Sequence, residues 1–265
     1  MTLTNDVAAH DDQTAAAKDG PPVGLGDLEA PPGQTTDAST TFRSAHLTGA
    51  EIEIRWLGRV GYDAAHELQL ALRDARIADP SLDPVLLLSE HEPVITFGRR
   101  GESGDLRVTE GELTARGIAL RHAERGGRAT YHGPGQLVGY LIGHARALAP
   151  DLPTLVWRLE ETMIHTLAEY DLAAARCYEG RGVWVGDAKL GAVGVAVTRG
   201  VCWHGFALNV APDLSTFELI RPCGLDVPVT SIADLTGAAP PIHDVAHVLA
   251  AELGGVFQIV TPGTP

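Results

Sequence analysis

Apolar and charged residues alternate strictly through Glu51-Ile52-Glu53-Ile54-Arg55-Trp56-Leu57, the period of a half-buried strand. From Gly61 to Asp79 the period lengthens to that of a helix, with Ala64, Leu68, Leu72 and Ala75 on one face and Pro80 and Pro84 closing it. Pro84 to Glu90 carries the unbroken apolar run Val85-Leu86-Leu87-Leu88, a short buried strand. His91-Glu92-Pro93 reads as a turn, and Val94 to Phe97 continues extended. Thr109 and Glu112 have capping-box spacing, and Gly117 is placed to stop the short helix they open. Strands follow at Ile118 to Ala123 and Leu137 to Ile142. The clearest helix is Asp151 to Tyr170, with Pro153 near its start and Leu155, Leu159, Met163 and Leu167 four apart. Gly182 to Gly186, Leu190 to Thr198 and Val201 to Val210 are strand-like runs with connections short enough for antiparallel pairing. Ile242 to Leu253 reads as a last helix and Val256 to Val260 as a last strand.

Strands outnumber helices and come in hairpin-like runs, which predicts an α+β class. Residues 1–48 are rich in Ala, Asp, Thr, Gly and Pro and offer almost nothing to a core, so a disordered tail is expected there and one catalytic domain over 49–265. No apolar run approaches the roughly eighteen residues that span a membrane, and the start of the chain has neither a basic segment nor an apolar one that would direct secretion. Cys177, Cys202 and Cys223 lack paired spacing, which fits reduced thiols in a cytoplasm. The formal charge of −14 argues against a nucleic-acid partner.

Chemistry concentrates in a few places. Arg125-Gly126-Gly127-Arg128-Ala129-Thr130-Tyr131-His132-Gly133-Pro134-Gly135-Gln136 is a Gly-rich polar loop running into a buried strand, the composition either of a pocket floor or of a tight turn. Lys189 is flanked by small residues; a lone lysine ordinarily sits in solvent, whereas a partly buried one acts as an acid or base. Cys223, in Arg221-Pro222-Cys223-Gly224, lies in a turn beside an arginine, where a reactive thiolate is feasible. Cys202 alternates with His204, Phe206 and Leu208, so those four should share one buried strand face. His243 and His247 have a zinc-compatible spacing but no third ligand in sequence, and no metal is expected.

In family order, Glu90-His91-Glu92-Pro93-Val94, the Arg125-Gly126-Gly127 and Thr130-Tyr131-His132-Gly133-Pro134-Gly135-Gln136 blocks, Lys189-Leu190-Gly191-Ala192-Val193-Gly194, His204-Gly205-Phe206-Ala207-Leu208-Asn209, Pro222-Cys223-Gly224 and Thr230-Ser231-Ile232 resemble the lipoyl(octanoyl) transferases. Phe206 stands where many members carry leucine. The resemblance implies the mixed sheet backed by helices of biotin and lipoate protein ligases, and no cofactor. It implies transfer of an octanoyl group from octanoyl-acyl carrier protein to a lysine of lipoyl domains, in 2-oxoacid dehydrogenase complexes and glycine cleavage H protein, through a cysteine thioester. Cys223 is the implied nucleophile and Lys189 its acid/base partner. Arg125, Gly126, Gly127, Arg128, Ala129, Thr130, Tyr131, His132, Ala192, Val193, Gly194, Gly205, Phe206 and Ala207 are the implied substrate-binding residues. Backbone N–H groups near Leu190 or Gly191 are the expected oxyanion donors, and Arg99, Arg100, Arg125 and Arg128 the expected patch for acidic partners. The rival readings are an ATP-dependent lipoate or biotin ligase on the same scaffold and a non-catalytic binder of acyl carrier or lipoyl domains.

Overall fold

The computed structural model describes residues 41–47, 50–177, 180–221 and 227–258. Along the chain run β1 (Thr41–Leu47), β2 (Ala50–Val60), α1 (Tyr62–Ala78), β3 (Val85–His91), β4 (Val94–Phe97), α2 (Glu110–Ala115), β5 (Ala119–His122), β6 (Ala129–His132) and β7 (Gln136–His144). Then come α3 (Ala145–Leu148), α4 (Leu152–Ala168), β8 (Ala175–Cys177), β9 (Gly180–Val185), β10 (Ala188–Thr198), β11 (Val201–Asn209), α5 (Ile232–Thr236) and α6 (Ile242–Gln258). A 3₁₀ turn at Leu214–Leu219 precedes α5.

Eight strands form the larger sheet, ordered β1-β2-β3-β7-β11-β10-β9-β8, and three form a smaller one, ordered β5-β4-β6. β2 with β3 and β4 with β5 are parallel; the other pairs are antiparallel. The fold is therefore α+β with a mixed, largely antiparallel sheet. β3 and β7 read as apolar runs because both faces of the sheet are covered. Leu86, Leu88, Leu137 and Leu141 pack with α4 and α6, while Val85, Leu87, Val138 and Tyr140 pack with α1.

Local signals place the helices. Thr109 and Glu112 form the capping box of α2, and the Asp151 carboxylate caps α4 through the Thr154 N–H at 2.7 Å. Three expectations change. Thr41–Leu47, expected within the tail, is the edge strand β1, its register running from Thr41 opposite Arg55 to Leu47 opposite Ala50; the rest of the expected tail lies outside the described residues. The expected last strand is helical as far as Gln258, with Val256 and Phe257 continuing the buried α6 stripe of Leu249 and Leu253; Ile259 and Val260 lie outside the described residues. Ala129–His132, inside the expected loop, is β6, which supplies the backbone pairing that a Gly-rich sequence obscures. Among the described residues no helix is long and apolar enough to cross a membrane.

Candidate active site

The smaller sheet lies over the face of the larger one that carries Ala192, Gly194 and Ala207, and Arg125-Gly126-Gly127 is the junction. The end of β4 wraps this turn: Gly98 N–H donates to Arg128 O, Arg99 N–H to Arg125 O and Arg100 N–H to Gly127 O, all at 3.0–3.1 Å. Gly126 N–H donates to Val195 O at 3.0 Å, tying the turn to β10. The Arg125 side chain runs inward and is 9% exposed. Its Nη2 donates to Thr96 O at 2.6 Å and to Thr96 Oγ1 at 2.7 Å, and its Nη1 to Gly126 O at 3.1 Å. Gly194 makes room for it, since a Cβ there would stand 3.0 Å from Gly126 O and 3.3 Å from Arg125 Cδ. Arg125 is thus an internal brace and not part of a surface patch. Arg128 points outward to ion-pair with buried Asp105 at 2.8 Å and with Glu102 at 3.4 Å.

Lys189 enters from β10 and is 6% exposed, which sets aside the solvated reading. Its backbone is gripped by the chain just past Asp226: Lys189 N–H donates to Pro228 O at 2.8 Å, and Thr230 N–H donates to Lys189 O at 2.9 Å. The ammonium stands 5.3 Å from the centre of the Trp184 ring, within cation–π range. Register with β9 shifts between Lys189 and Gly191, so the pairs pass from Lys189 opposite Trp184 to Gly191 opposite Val183 with Leu190 as the extra residue. Lys189 opens on a small cleft lined also by Thr130, Gln136, Ala192, Ala207 and Phe217. Cys223 and its neighbours from Pro222 to Asp226 lie outside the described residues.

A hydrogen-bonded chain of side chains closes the cleft behind Thr130. Thr230 O, which only accepts, receives Asn209 Nδ2 at 3.0 Å. Asn209 Oδ1 then receives Gln136 Nε2 at 2.9 Å, and Gln136 Oε1 lies 2.7 Å from His132 Nδ1. The carbonyl at one end fixes each amide orientation in turn, and so assigns the proton to His132 Nδ1 and leaves Nε2 as a lone pair. Burial, helped by His91 and Arg125, pulls the His132 imidazolium pKa down to about 3. By the same logic His91 donates from Nδ1 to Val60 O at 3.0 Å and its Nε2 accepts from the Tyr140 hydroxyl at 2.6 Å. Burial lowers the His91 pKa as well and raises that of Tyr140. These groups are held neutral, as polar positioning groups with definite donors and acceptors.

Strand alternation divides the implied substrate-binding residues. Thr130, Ala192 and Ala207 line the cleft. Val193 and Phe206, which pair with one another, lie on the opposite face in the helix-side core. Phe206 fits there because Gly139 has no side chain; a Cβ on Gly139 would come within 2.2 Å of the Phe206 ring. Ala129 and Tyr131 face the small core under the 3₁₀ turn, where Tyr131 meets Phe217 edge-on at 5.4 Å. The expected common face of Cys202, His204, Phe206 and Leu208 is broken at His204. Cys202, Phe206 and Leu208 are in the helix-side core, and burial pushes the Cys202 thiol up to about 12. His204 has φ 58° and stacks on Trp203 at 4.2 Å, facing His66 of α1. Gln136, Asn209 and Thr96 are absent from the implied site residues. Their polar side chains inside apolar strands are the signal in sequence, but only the fold shows them meeting.

Residues 62–254 match the lipoyl protein ligase A/B catalytic domain. An octanoyltransferase of Solibacter usitatus is 43% identical over 79% of this chain and 95% of its own length. One of Chloroflexus aggregans is 44% identical over 77% and 93% respectively. A bipartite lipoate protein ligase from Thermoplasma acidophilum, solved in a study of an archaeal lipoylation system, superposes with a TM-score of 0.60 at 17% identity, over 80% of this chain and 84% of that one. The likeness in fold to lipoate ligases and the much higher identity to octanoyltransferases agree: the chain belongs to the lipoyl protein ligase A/B catalytic-domain family, and within it to the lipoyl(octanoyl) transferases, which are acyltransferases.

Proposed function

We propose that this protein is a cytoplasmic enzyme that moves an octanoyl group from octanoyl-acyl carrier protein to a lysine of lipoyl domains, through a thioester on Cys223. The observation that carries the reading is Lys189: a lysine 6% exposed, at the edge of a small-residue cleft, with its backbone bonded to Pro228 and Thr230 a few residues beyond Cys223 in sequence. A lysine withdrawn from solvent at the edge of a cleft is placed to exchange a proton with a bound molecule. Ala192 and Ala207 keep the side chains lining the cleft small, and an alkyl chain whose six methylenes were buried against them would gain roughly 5 kcal/mol of binding at about 0.8 kcal/mol each.

The reaction balances with these groups alone. The Cys223 thiolate attacks the thioester carbonyl, and the tetrahedral intermediate collapses with loss of the carrier's phosphopantetheine thiolate, which takes a proton from the Lys189 ammonium. The Lys189 amine left behind then removes a proton from the incoming lysine as that amine attacks the acyl-enzyme, and Cys223 departs as thiolate. N–H groups at the Leu190 bulge are the proposed oxyanion donors. His132 positions the substrate through its Nε2 lone pair and carries no proton there.

The test is intact mass after incubation with octanoyl-acyl carrier protein and no nucleotide. One octanoyl group added to the wild-type protein and none to Cys223→Ser is the expected result. Subsequent addition of a lipoyl domain should discharge it. Acylation that requires ATP and free octanoate would overturn the reading in favour of a ligase.

A further inference from the structure

Behind the Arg125-Gly126-Gly127 turn, away from the cleft, three side chains from three elements converge. His66 comes from α1, Glu124 from the segment leading into the turn and His204 from β11. Glu124 Oε2 lies 3.0 Å from His66 Nε2 and 3.7 Å from His204 Nε2. All three donor atoms fall within 4.8 Å of one another. A His–Glu pair such as His66 with Glu124 is ordinary on a surface; His204 makes this one different. It is 2% exposed, and its Nε2 is buried with no hydrogen-bond partner among the described residues. Buried imidazole nitrogens are rarely left so, and at 3.7 Å the Glu124 oxygen is too far to satisfy it. The backbone is also strained to place it there, for φ 58° turns the ring off the face its strand neighbours use. Trp203 stacks on the His204 ring and lies 5.8 Å from His66, holding both rings near their present orientation.

We propose that His66, Glu124 and His204 form a three-ligand site for a borderline divalent transition-metal ion such as Zn²⁺, which staples α1 and β11 to the segment entering the Arg125 turn. Two imidazoles and one carboxylate, with the fourth position left to water, are a usual donor set for that class of ion. Ligand bonds of about 2.0–2.1 Å require donors about 3.3 Å apart in a tetrahedron, and the two distances to Glu124 bracket that value. The site opens to solvent at Glu124, which gives the ion a way in. Arg99 Nε donates to Glu124 O at 2.8 Å, so the ion fixes the outer wall of the turn without touching the cleft. Arg99 and Arg125 lie near enough to oppose a cation, which limits its affinity.

The experiment uses the full chain carrying Cys223→Ser, so that no reactive thiol competes for the probe, stripped with chelator and titrated with Zn²⁺. The expected result is one Zn²⁺ retained per chain after desalting, and a Tm raised by about 5–10 °C at a hundredfold excess over Kd. His66→Asn and Glu124→Gln, both at the rim where folding is not at stake, should each weaken binding about tenfold or more. The His243→Ala/His247→Ala double variant should bind normally. Co²⁺ in place of Zn²⁺ should show the visible bands of a four-coordinate site and lose them in His66→Asn. Failure to retain Zn²⁺, or retention that follows His243 and His247 and ignores His66 and Glu124, overturns the proposal.

Discussion

At Lys189 two roles can be separated by one substitution. In the proposed reaction, arginine would keep the positive charge offered to the Cys223 thiolate but does not give up its proton in the working range, so it could not serve as the base for an incoming amine. Lys189→Arg should therefore slow transfer to a lipoyl domain by about a hundredfold or more, nearly as much as Lys189→Ala. The readout is single-turnover: acylation of Cys223 by mass, then discharge. Near-normal discharge by the arginine variant would reduce Lys189 to an electrostatic role. The residues of this site are unequally legible in the sequence. Glycines and a histidine in a distinctive order single out the Arg125–Gln136 block. The inward course of Arg125 is not written there, because it depends on Gly194, nearly seventy positions away in sequence, leaving space beside it. Nor does alternation place every residue of β11: a left-handed backbone turns His204 off the face that period 2 predicts for it, while Cys202, Phe206 and Leu208 keep that face.

Among the elements, β1 decides where the folded domain starts. It pairs along β2 and α6 lies against it, so its loss would bare the β2 edge and open the side of the helix layer. A variant lacking residues 1–40 should keep the wild-type Tm and turnover, because that segment has too few large apolar residues to build a core. Removing residues 1–47 should lower the Tm by several degrees and promote aggregation. Equal melting of the two truncations, followed by calorimetry, would show β1 to be dispensable. β1 is hard to read for a plain reason: Thr41-Phe42-Arg43-Ser44 offers only one large apolar residue, too little for a period to register. The end of α6 misleads for the opposite reason. Val256 and Phe257 have strand propensity, but they fall on the same helical stripe as Leu249 and Leu253, and tertiary packing overrides propensity. Where the period is long and purely apolar, as in α4, the element and its buried face agree with the sequence. α1 is a helix as expected, but its buried stripe is Tyr62, Ala65, Gln69, Leu72 and Arg76, and Ala64 of the expected face is exposed. Polar Gln69 and Arg76 take core positions that an apolar period cannot mark.

Two properties of the whole molecule follow from where its charges sit. Burial depresses the folded-state pKa of His91, and takes that of His132 to about 3, from an ordinary 6.5. At pH 7 these rings are mostly neutral folded or unfolded. As pH falls through 6.5 the unfolded chain takes up protons that the folded one refuses, so stability declines, by up to about 1.4 kcal/mol per pH unit for each such group. Urea unfolding in chelator between pH 7 and 4.5, above most carboxylate titration, should show that slope, and His132→Asn should remove about one proton from it; a flat profile would mean the rings are solvated. Charge also governs partners. The molecule carries −14 overall, so a negatively charged carrier must find a local cationic area. Of the four arginines expected there, Arg125 is internal and Arg128 is committed to Asp105, which leaves the exposed pair Arg99 and Arg100. Arg99→Ala/Arg100→Ala should raise KM for acyl carrier protein by about tenfold at low ionic strength with kcat little changed, and the difference should fade by about 0.5 M salt, roughly where the Debye length is down to a few ångströms. Arg128→Ala should act differently, lowering the Tm by stripping a charged partner from buried Asp105, with KM unaltered at temperatures where the variant is folded. If KM ignores salt in the wild type, or if Arg128→Ala raises KM as the Arg99/Arg100 variant does while its Tm stays normal, recognition does not run through the exposed pair.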